Sequence, residues 1–417
     1  MTIRMDSLIR AVGTALDIVE GELLGASTNH GKRISVLCAA MGKALGMSDG
    51  EVSGLAVSAL LHDNALTEYI FAERMGNYHD PAMKKHCEYG QRNMDELHFN
   101  ADVKDFILYH HEWANGSGPF GKRSGEIPLG AELISIADSL DVTHHLQRLE
   151  PEGLSFIRTL VADNTGTHYG KKAAGAMLDI LDWPMICSLK DETVAGTAEK
   201  AAPPWIADME ESSIFGLAGF VSRIIDYKSF FTRRHSTQIA GKAWIMSGYY
   251  GYAPQDRAEF YLAAALHDIG KLATPTAILE KPEQLTDEEF SVIKEHVRLT
   301  RELLKDIEGF GHICQWASNH HEKLDGSGYC SGKKAEDLDF NSRLLACIDI
   351  YQAVSEERPY HPQRNHAETI KVLYDTAEQG KIDGGIVRDL DAVLAEYGGG
   401  DVPLPAQASA VSYAVRG

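Results

Sequence analysis

Imidazole and carboxylate side chains stand next to one another at several points in this 417-residue chain. His267 and Asp268 are adjacent in AALHDIGK and His320 and His321 in NHHEKLDGSG, with His235, His296 and Asp349 spaced around them. Five imidazoles and two carboxylates suit manganese, iron, zinc, nickel or cobalt, and without thiolates a structural zinc finger is not indicated. Seven donors are too many for one open catalytic cation and about right for two. Asp268 can bridge such a pair through its two oxygens, which an imidazole nitrogen cannot do. Two metals ~3.5–4 Å apart hold a bridging water, lower its pKa toward neutrality and clamp a phosphoryl group for in-line attack.

One histidine on a helix is ordinarily a surface or satisfied core residue, so the metal reading rests on repetition. ALLHDN around His62 matches AALHDIGK, and YHHEWANGSG around His111 matches NHHEKLDGSG. His30 precedes His62 by 32 residues, and His235 precedes His267 by 32; His86 to His110 and His296 to His320 are both 24. The interval from His62 to His86 is 24 but that from His267 to His296 is 29, the second copy carrying a longer connection, TPTAILEKPEQL. Asp138 in SIADSLD and Asp349 in CIDIYQ close the pattern. Ten of the 18 histidines fall on paired positions. The chain is a duplication.

Helices must position these groups. Ser48–Glu51 and Thr286–Glu289 are capping boxes that open apolar-periodic runs, and EEFSVIKEHVRLTRELLKDI places His296 on a helix. Strand-like alternation is scarce, which predicts an all-α protein of two tandem helical bundles. Residues 1–183 form the first, 184–206 lose helical periodicity around Pro203–Pro204 and read as a connector, 207–397 form the second, and 398–417 read as a loosely held tail. A formal charge of −20 argues against affinity for long nucleic acid or an anionic membrane surface. No apolar run spans a bilayer, and the six cysteines form no CxxC pair, which predicts a soluble, reduced, cytoplasmic chain.

HDIGK (267–271), His296 and HHEKLDGSGYC (320–330) resemble the HD-GYP family, the phosphodiesterase branch of the HD superfamily of metal-dependent phosphohydrolases; Asp349 and SEERPY (355–360) extend the likeness. The resemblance covers about 226–397 well and 20–183 as a diverged copy. It implies an HD-type bundle that hydrolyses a cyclic dinucleotide, cyclic di-GMP or cyclic GMP-AMP, through a metal-bridging hydroxide at an iron or manganese centre. By position, His235, His267, Asp268, His296, His320, His321 and Asp349 are the implied ligands, Asp268 bridging. Lys271 and Arg358 are the implied phosphate contacts, and Asp325, Gly326, Ser327, Gly328 and Tyr329 the implied substrate-facing loop. The sequence departs from the family where Cys330 replaces the motif proline. It departs again where Phe231 stands in place of the glutamate that accompanies a third metal, so two metals are expected.

The first copy keeps the whole ligand set, His30, His62, Asp63, His86, His110, His111 and Asp138, as a candidate second metal site. It lacks the substrate grips. HDIGK has become His62-Asp63-Asn64-Ala65-Leu66, Asn115 replaces the aspartate of the loop, and Pro119 replaces the tyrosine. A regulatory or structural role is expected for this half. Tyr249, Tyr250 and Tyr252 read as interhelical packing, and His144, His145 and His361 as surface residues. Two other readings stay open: a low-turnover cyclic-dinucleotide sensor or scaffold, and a hydrolase of another nucleotide phosphate. A homodimer or a signalling partner is left open too.

Overall fold

The structure, a computed structural model, describes residues 2–24, 28–74, 84–97, 102–229, 234–356 and 363–405. Its regular elements there are helices, apart from the short strands β1 (Thr2–Arg4) and β2 (Ile206–Asp208), which pair with each other. The all-α architecture expected from the periodicity holds. The chain divides into two compact units, residues 4–206 and residue 207 onward with the first strand residues.

The first unit comprises α1 (Met5–Leu24), α2 (His30–Ala44), α3 (Asp49–Leu60), α4 (Leu66–Arg74), α5 (Lys84–Met94), α6 (Leu129–His144), α7 (Pro151–Asp163), α8 (Lys171–Ile180), α9 (Trp183–Ser188) and α10 (Val194–Ala201). The second comprises α11 (Glu211–Asp226), α12 (His235–Tyr249), α13 (Pro254–Leu266), α14 (Thr276–Leu279), α15 (Asp287–Leu304), α16 (Gly311–Ser318), α17 (Phe340–Ser355), α18 (His366–Glu378) and α19 (Gly384–Leu394). The duplication is structural as well. α2 and α12 both start on a site histidine, and α3 and α13 both lead directly into the His-Asp pair.

Both capping boxes form. The Ser48 amide donates to Glu51 at 2.8 Å and the Thr286 amide to Glu289 at 2.8 Å, satisfying N-terminal groups that have no partner within the helix. The segment 184–206 corrects the expectation of an aperiodic connector, since it holds most of α9 and all of α10. Asp182 caps α9 by accepting from the Met185 amide at 2.8 Å, and α10 packs on α2 with Val194 buried. Elements this short show too few turns for a period to be read, and the chain leaves helix just before Pro203–Pro204. The start of the tail is likewise held: Val402 is buried and its amide donates to Gln238 Oε1 at 2.7 Å, while residues 406–417 lie outside the described residues. Tyr250 donates to Asp389 of α19 at 2.7 Å and meets Phe340 edge-on, the packing role expected of it. Among the described residues, no helix is long and apolar enough to cross a membrane.

Candidate metal centre

In the second unit the seven expected ligands come from five separate places and converge. His235 opens α12, His267 and Asp268 follow α13, His296 lies on α15, His320 and His321 follow α16, and Asp349 lies on α17. Asp268 sits at the centre, 1% exposed. Its Oδ2 lies 3.1 Å from His267 Nε2 and 3.5 Å from His235 Nε2, and its Oδ1 lies 3.3 Å from His296 Nε2 and 3.7 Å from His320 Nε2. Asp349 straddles the same two groups, with Oδ1 3.4 Å from His235 Nε2 and Oδ2 3.6 Å from His321 Nδ1. Each carboxylate thus turns one oxygen to each imidazole group.

The far ring nitrogens fix what the near ones can do. Nδ1 of His267, His296 and His320 lies 2.6–2.7 Å from the backbone carbonyl three residues earlier. A carbonyl only accepts, so each Nδ1 carries the proton and each Nε2 is a bare lone pair. Two such lone pairs, on His296 and His320, face each other at 3.3 Å. His235 Nε2, His267 Nε2 and Asp268 Oδ1 are buried with no hydrogen-bond partner. Unmet acceptors aimed at one another are costly unless cations lie between them, so the donor set fits divalent metal. Burial and the neighbouring imidazoles hold His320 well below the usual histidine range, and burial takes His321 to about 3, so both imidazoles are neutral and free to act as donors to a cation. Burial pushes Asp268 up, but His267 and Lys271 outweigh it and keep the carboxyl well below its usual range.

The first unit repeats the arrangement. His86 Nε2 lies 2.9 Å from Asp63 Oδ1, His30 Nε2 lies 3.2 Å from Asp138 Oδ1, and His62 Nε2 lies 3.6 Å from Asp63 Oδ2. Asp63, His86, His110 and His111 form one group and His30, His62 and Asp138 another, each close enough to hold an ion. Nε2 of His62, His110 and His111 is buried without a hydrogen-bond partner.

A family model described as HD domain matches residues 19–157 and again 219–386. The chain belongs to the HD domain family. Its relatives lie in the HD-GYP branch. It is 26% identical over 373 residues to 3'3'-cGAMP-specific phosphodiesterase 1 of Vibrio cholerae, covering 86% of this chain and 85% of that protein. It is 28% identical to 3'3'-cGAMP-specific phosphodiesterase 3 of the same organism, covering 72% and 64%. It is 31% identical over 166 residues to a cyclic di-GMP phosphodiesterase of Thermotoga maritima, covering 39% and 44%. The crystal structure of a cyclic GMP-AMP specific phosphodiesterase of V. cholerae shares the fold, with a TM-score of 0.63 at 22% identity over 95% of this chain and 98% of that one.

The two HD domains differ around the ligands. In the C-terminal HD domain, Lys271 Nζ contacts Asp268 Oδ2 at 2.5 Å. Tyr329 lies over His321 with ring centroids 4.8 Å apart, and Lys294 sits 5.7 Å from the Tyr329 ring centroid. A cavity of about 540 Å³, lined by Pro282, Gln284, Leu285, Asp287 and Phe290, adjoins Tyr329 through Phe290, whose ring is 6.4 Å away. Asp325, Gly326 and Gly328 shape the loop. Asp325 accepts from the Ser327 amide at 2.9 Å, Gly326 has φ +79°, and a Cβ on Gly328 would lie 2.4 Å from the Lys323 nitrogen. Arg358 and Phe231 lie outside the described residues. In the N-terminal HD domain the position of Lys271 is Leu66, 1% exposed. Asn115 nevertheless accepts from the Ser117 amide at 3.0 Å, so this replacement keeps the turn that Asp325 makes.

Two anchors were missed by sequence reasoning. His30 Nδ1 lies 2.7 Å from Asp141, which is backed by Arg33 at 2.8 Å, and His235 Nδ1 lies 2.9 Å from Glu356. Asp141 sits one turn beyond Asp138 on the same face of α6, and that spacing was the available signal. At the matching place on α17 stands Gln352, which donates to Glu356 at 2.6 Å, so the anchor has moved and the repeat does not reveal it.

Proposed function

We propose that the C-terminal HD domain hydrolyses a phosphodiester bond of a cyclic dinucleotide, cyclic di-GMP or 3'3'-cGAMP, at a pair of divalent cations, iron or manganese. The observation that carries this is Asp268, which turns its two oxygens to two imidazole groups while Lys271 stands beside it. The likeness to proteins named as phosphodiesterases of these two compounds supports the substrate class. When bound, the cations supply a nucleophile from water at neutral pH and neutralise charge on the phosphoryl group.

The chain's own residues do the rest. His235, His267, Asp268 and Asp349 would hold one cation, and His296, His320 and His321 with the same two carboxylates would hold the other. Lys271 Nζ is a point charge for a phosphate oxygen, and Arg358 is assigned to the second phosphate of the ring. Tyr329, half-covered beside His321, offers a face against which a base or ribose can lie. The N-terminal HD domain is assigned metal binding without turnover, because Leu66 and Pro119 replace Lys271 and Tyr329.

The test is release of linear dinucleotide or mononucleotide from both compounds by the wild-type chain and by the His267→Ala/Asp268→Ala variant. Loss of release in the variant is expected, and equal rates would overturn the proposal.

A further inference from the structure

We propose that Glu20 is a further metal ligand of the N-terminal HD domain, making that half a divalent-cation site with one carboxylate more than its C-terminal counterpart. The inference rests on the reading that the N-terminal cluster takes divalent metal. Glu20 was in neither the duplicated pattern nor the resemblance. It lies on α1, is 3% exposed, and its Oε2 is buried with no hydrogen-bond partner.

Packing dictates where it points. Asp17, one turn earlier on α1, accepts from the Gly31 amide at 2.7 Å, so this face of α1 meets the first turn of α2, where His30 stands. Gly13 lets α1 approach α3: a Cβ there would lie 2.6 Å from the Leu60 side chain, two residues before His62. Glu20 thus lies buried on the face of α1 that packs against α2 and α3, the elements that carry His30 and lead to His62. The charges that act on it are those of Asp63, His30, Asp17 and Asp138, which include members of both ligand groups. With no cation present, burial and the Asp63 charge push its carboxyl well above the usual range.

Among the described residues, the matching helix of the second domain offers no carboxylate at this place. Asp226 of α11 caps α12 as Asp17 caps α2, accepting from the Ser236 amide at 2.8 Å, but the residue three further on is Ser229. Among the described residues the candidate ligand carboxylates thus number three in the first domain, with Leu66 in the lysine position, and two in the second, with Lys271 beside them. More anionic ligands tighten cation binding and repel a phosphodiester, which fits a site that keeps metal and turns nothing over.

The experiment uses the full chain carrying His267→Ala/Asp268→Ala, so that the C-terminal centre is disabled, loaded with Mn²⁺ or Co²⁺ and desalted. Adding Glu20→Gln is expected to lower the retained ions by about one per chain, or to weaken the tightest ion about tenfold or more in chelator competition. It should also change the Co²⁺ visible absorption. Unchanged stoichiometry, affinity and spectrum would overturn the assignment. Adding His62→Ala/Asp63→Ala to the same background separates the two ideas, because if metal is unchanged there as well, the N-terminal cluster is no metal site and the inference falls with that reading. Glu20→Asp keeps the charge and is expected to recover metal; if Glu20→Gln unfolds the chain, an equally metal-poor but folded Glu20→Asp protein overturns the assignment.

Discussion

At the scale of single residues, Lys271 and His235 are separable in what they do. Lys271 touches Asp268 without belonging to either imidazole group, so removing its charge should leave the cations in place and strip a contact from the phosphate. Lys271→Gln is expected to keep its metal content and to lose roughly 10²–10³-fold in kcat, the scale of one lost charge-stabilising donor. Metal analysis and steady-state kinetics on one sample check this, and loss of metal in parallel with rate would contradict it. His235 behaves differently because its outer nitrogen faces Glu356. Burial pulls its pKa down, but the Glu356 charge and the contacts to Asp349 and Glu356 lift it from 6.5 to about 9 in the metal-free chain. A raised basic pKa means that the proton stabilises the metal-free fold below about 6.5, and that this contribution is lost as pH rises through about 9. The same proton competes with metal. Apparent Mn²⁺ affinity of the C-terminal site should climb by up to about tenfold per pH unit from neutrality and flatten near pH 9. Glu356→Gln should move that plateau to lower pH, and titrations across the range read it directly.

At the scale of elements, one glycine decides how closely a ligand-bearing helix can approach. Gly270, in the turn after Asp268, lies against α15: a Cβ there would stand 2.1 Å from the His296 carbonyl oxygen and 2.8 Å from the Thr300 nitrogen. Thr300 completes the seam, its hydroxyl donating to the His267 carbonyl at 3.0 Å and accepting from the Gly270 amide at 3.1 Å. The N-terminal domain solves the same problem in reverse. Ala65 occupies the turn, and the small residue is Gly90 on α5, at the place of Thr300. Asn64 then supplies the stitching, donating to the carbonyls of Leu61 at 2.9 Å and Gly90 at 3.3 Å. Gly270→Ala should therefore push α15 away, draw His296 from Asp268, and cost about 1–3 kcal/mol with loss of metal. Thermal denaturation with and without chelator measures both, and a metal-replete protein of unchanged stability would refute the steric argument. This exchange was invisible in the sequence, where HDNAL reads only as a decayed HDIGK. Asn115 misleads in the same way, since it looks like a lost acid and yet makes the turn that Asp325 makes. A motif records residue types, whereas the fold conserves contacts that more than one pair can make.

At the scale of the whole molecule, the matched 32- and 24-residue intervals made the two bundles and their 14 candidate ligands legible, because ligands to one centre must recur at fixed places on recurring helices. What escaped notice lies where the copies diverge: Glu20 on a helix whose partner lacks it, Asp141 and Glu356 at unmatched positions, and short helices within residues 184–206. Under the proposed function, divergence is also what would give the halves different work. Both domains bring five imidazoles and two aspartates together, so the power to hold cations does not distinguish them. The groups proposed to face the phosphates do. Leu66 is buried where Lys271 presents an ammonium to Asp268, and Pro119 stands where Tyr329 covers His321. A cyclic dinucleotide carries two phosphodiester anions, and the N-terminal cluster offers them no counterpart of the Lys271 ammonium, Leu66 standing in its place. Turnover should therefore follow the C-terminal ligands alone. His267→Ala/Asp268→Ala is expected to abolish hydrolysis by on the order of 10³-fold or more, while His62→Ala/Asp63→Ala changes kcat by no more than about threefold. Bound metal should fall in both variants. Assaying the pair side by side, with ions per chain counted on each sample, decides the matter, since a matching loss of rate in the N-terminal variant would mean that catalysis needs both centres.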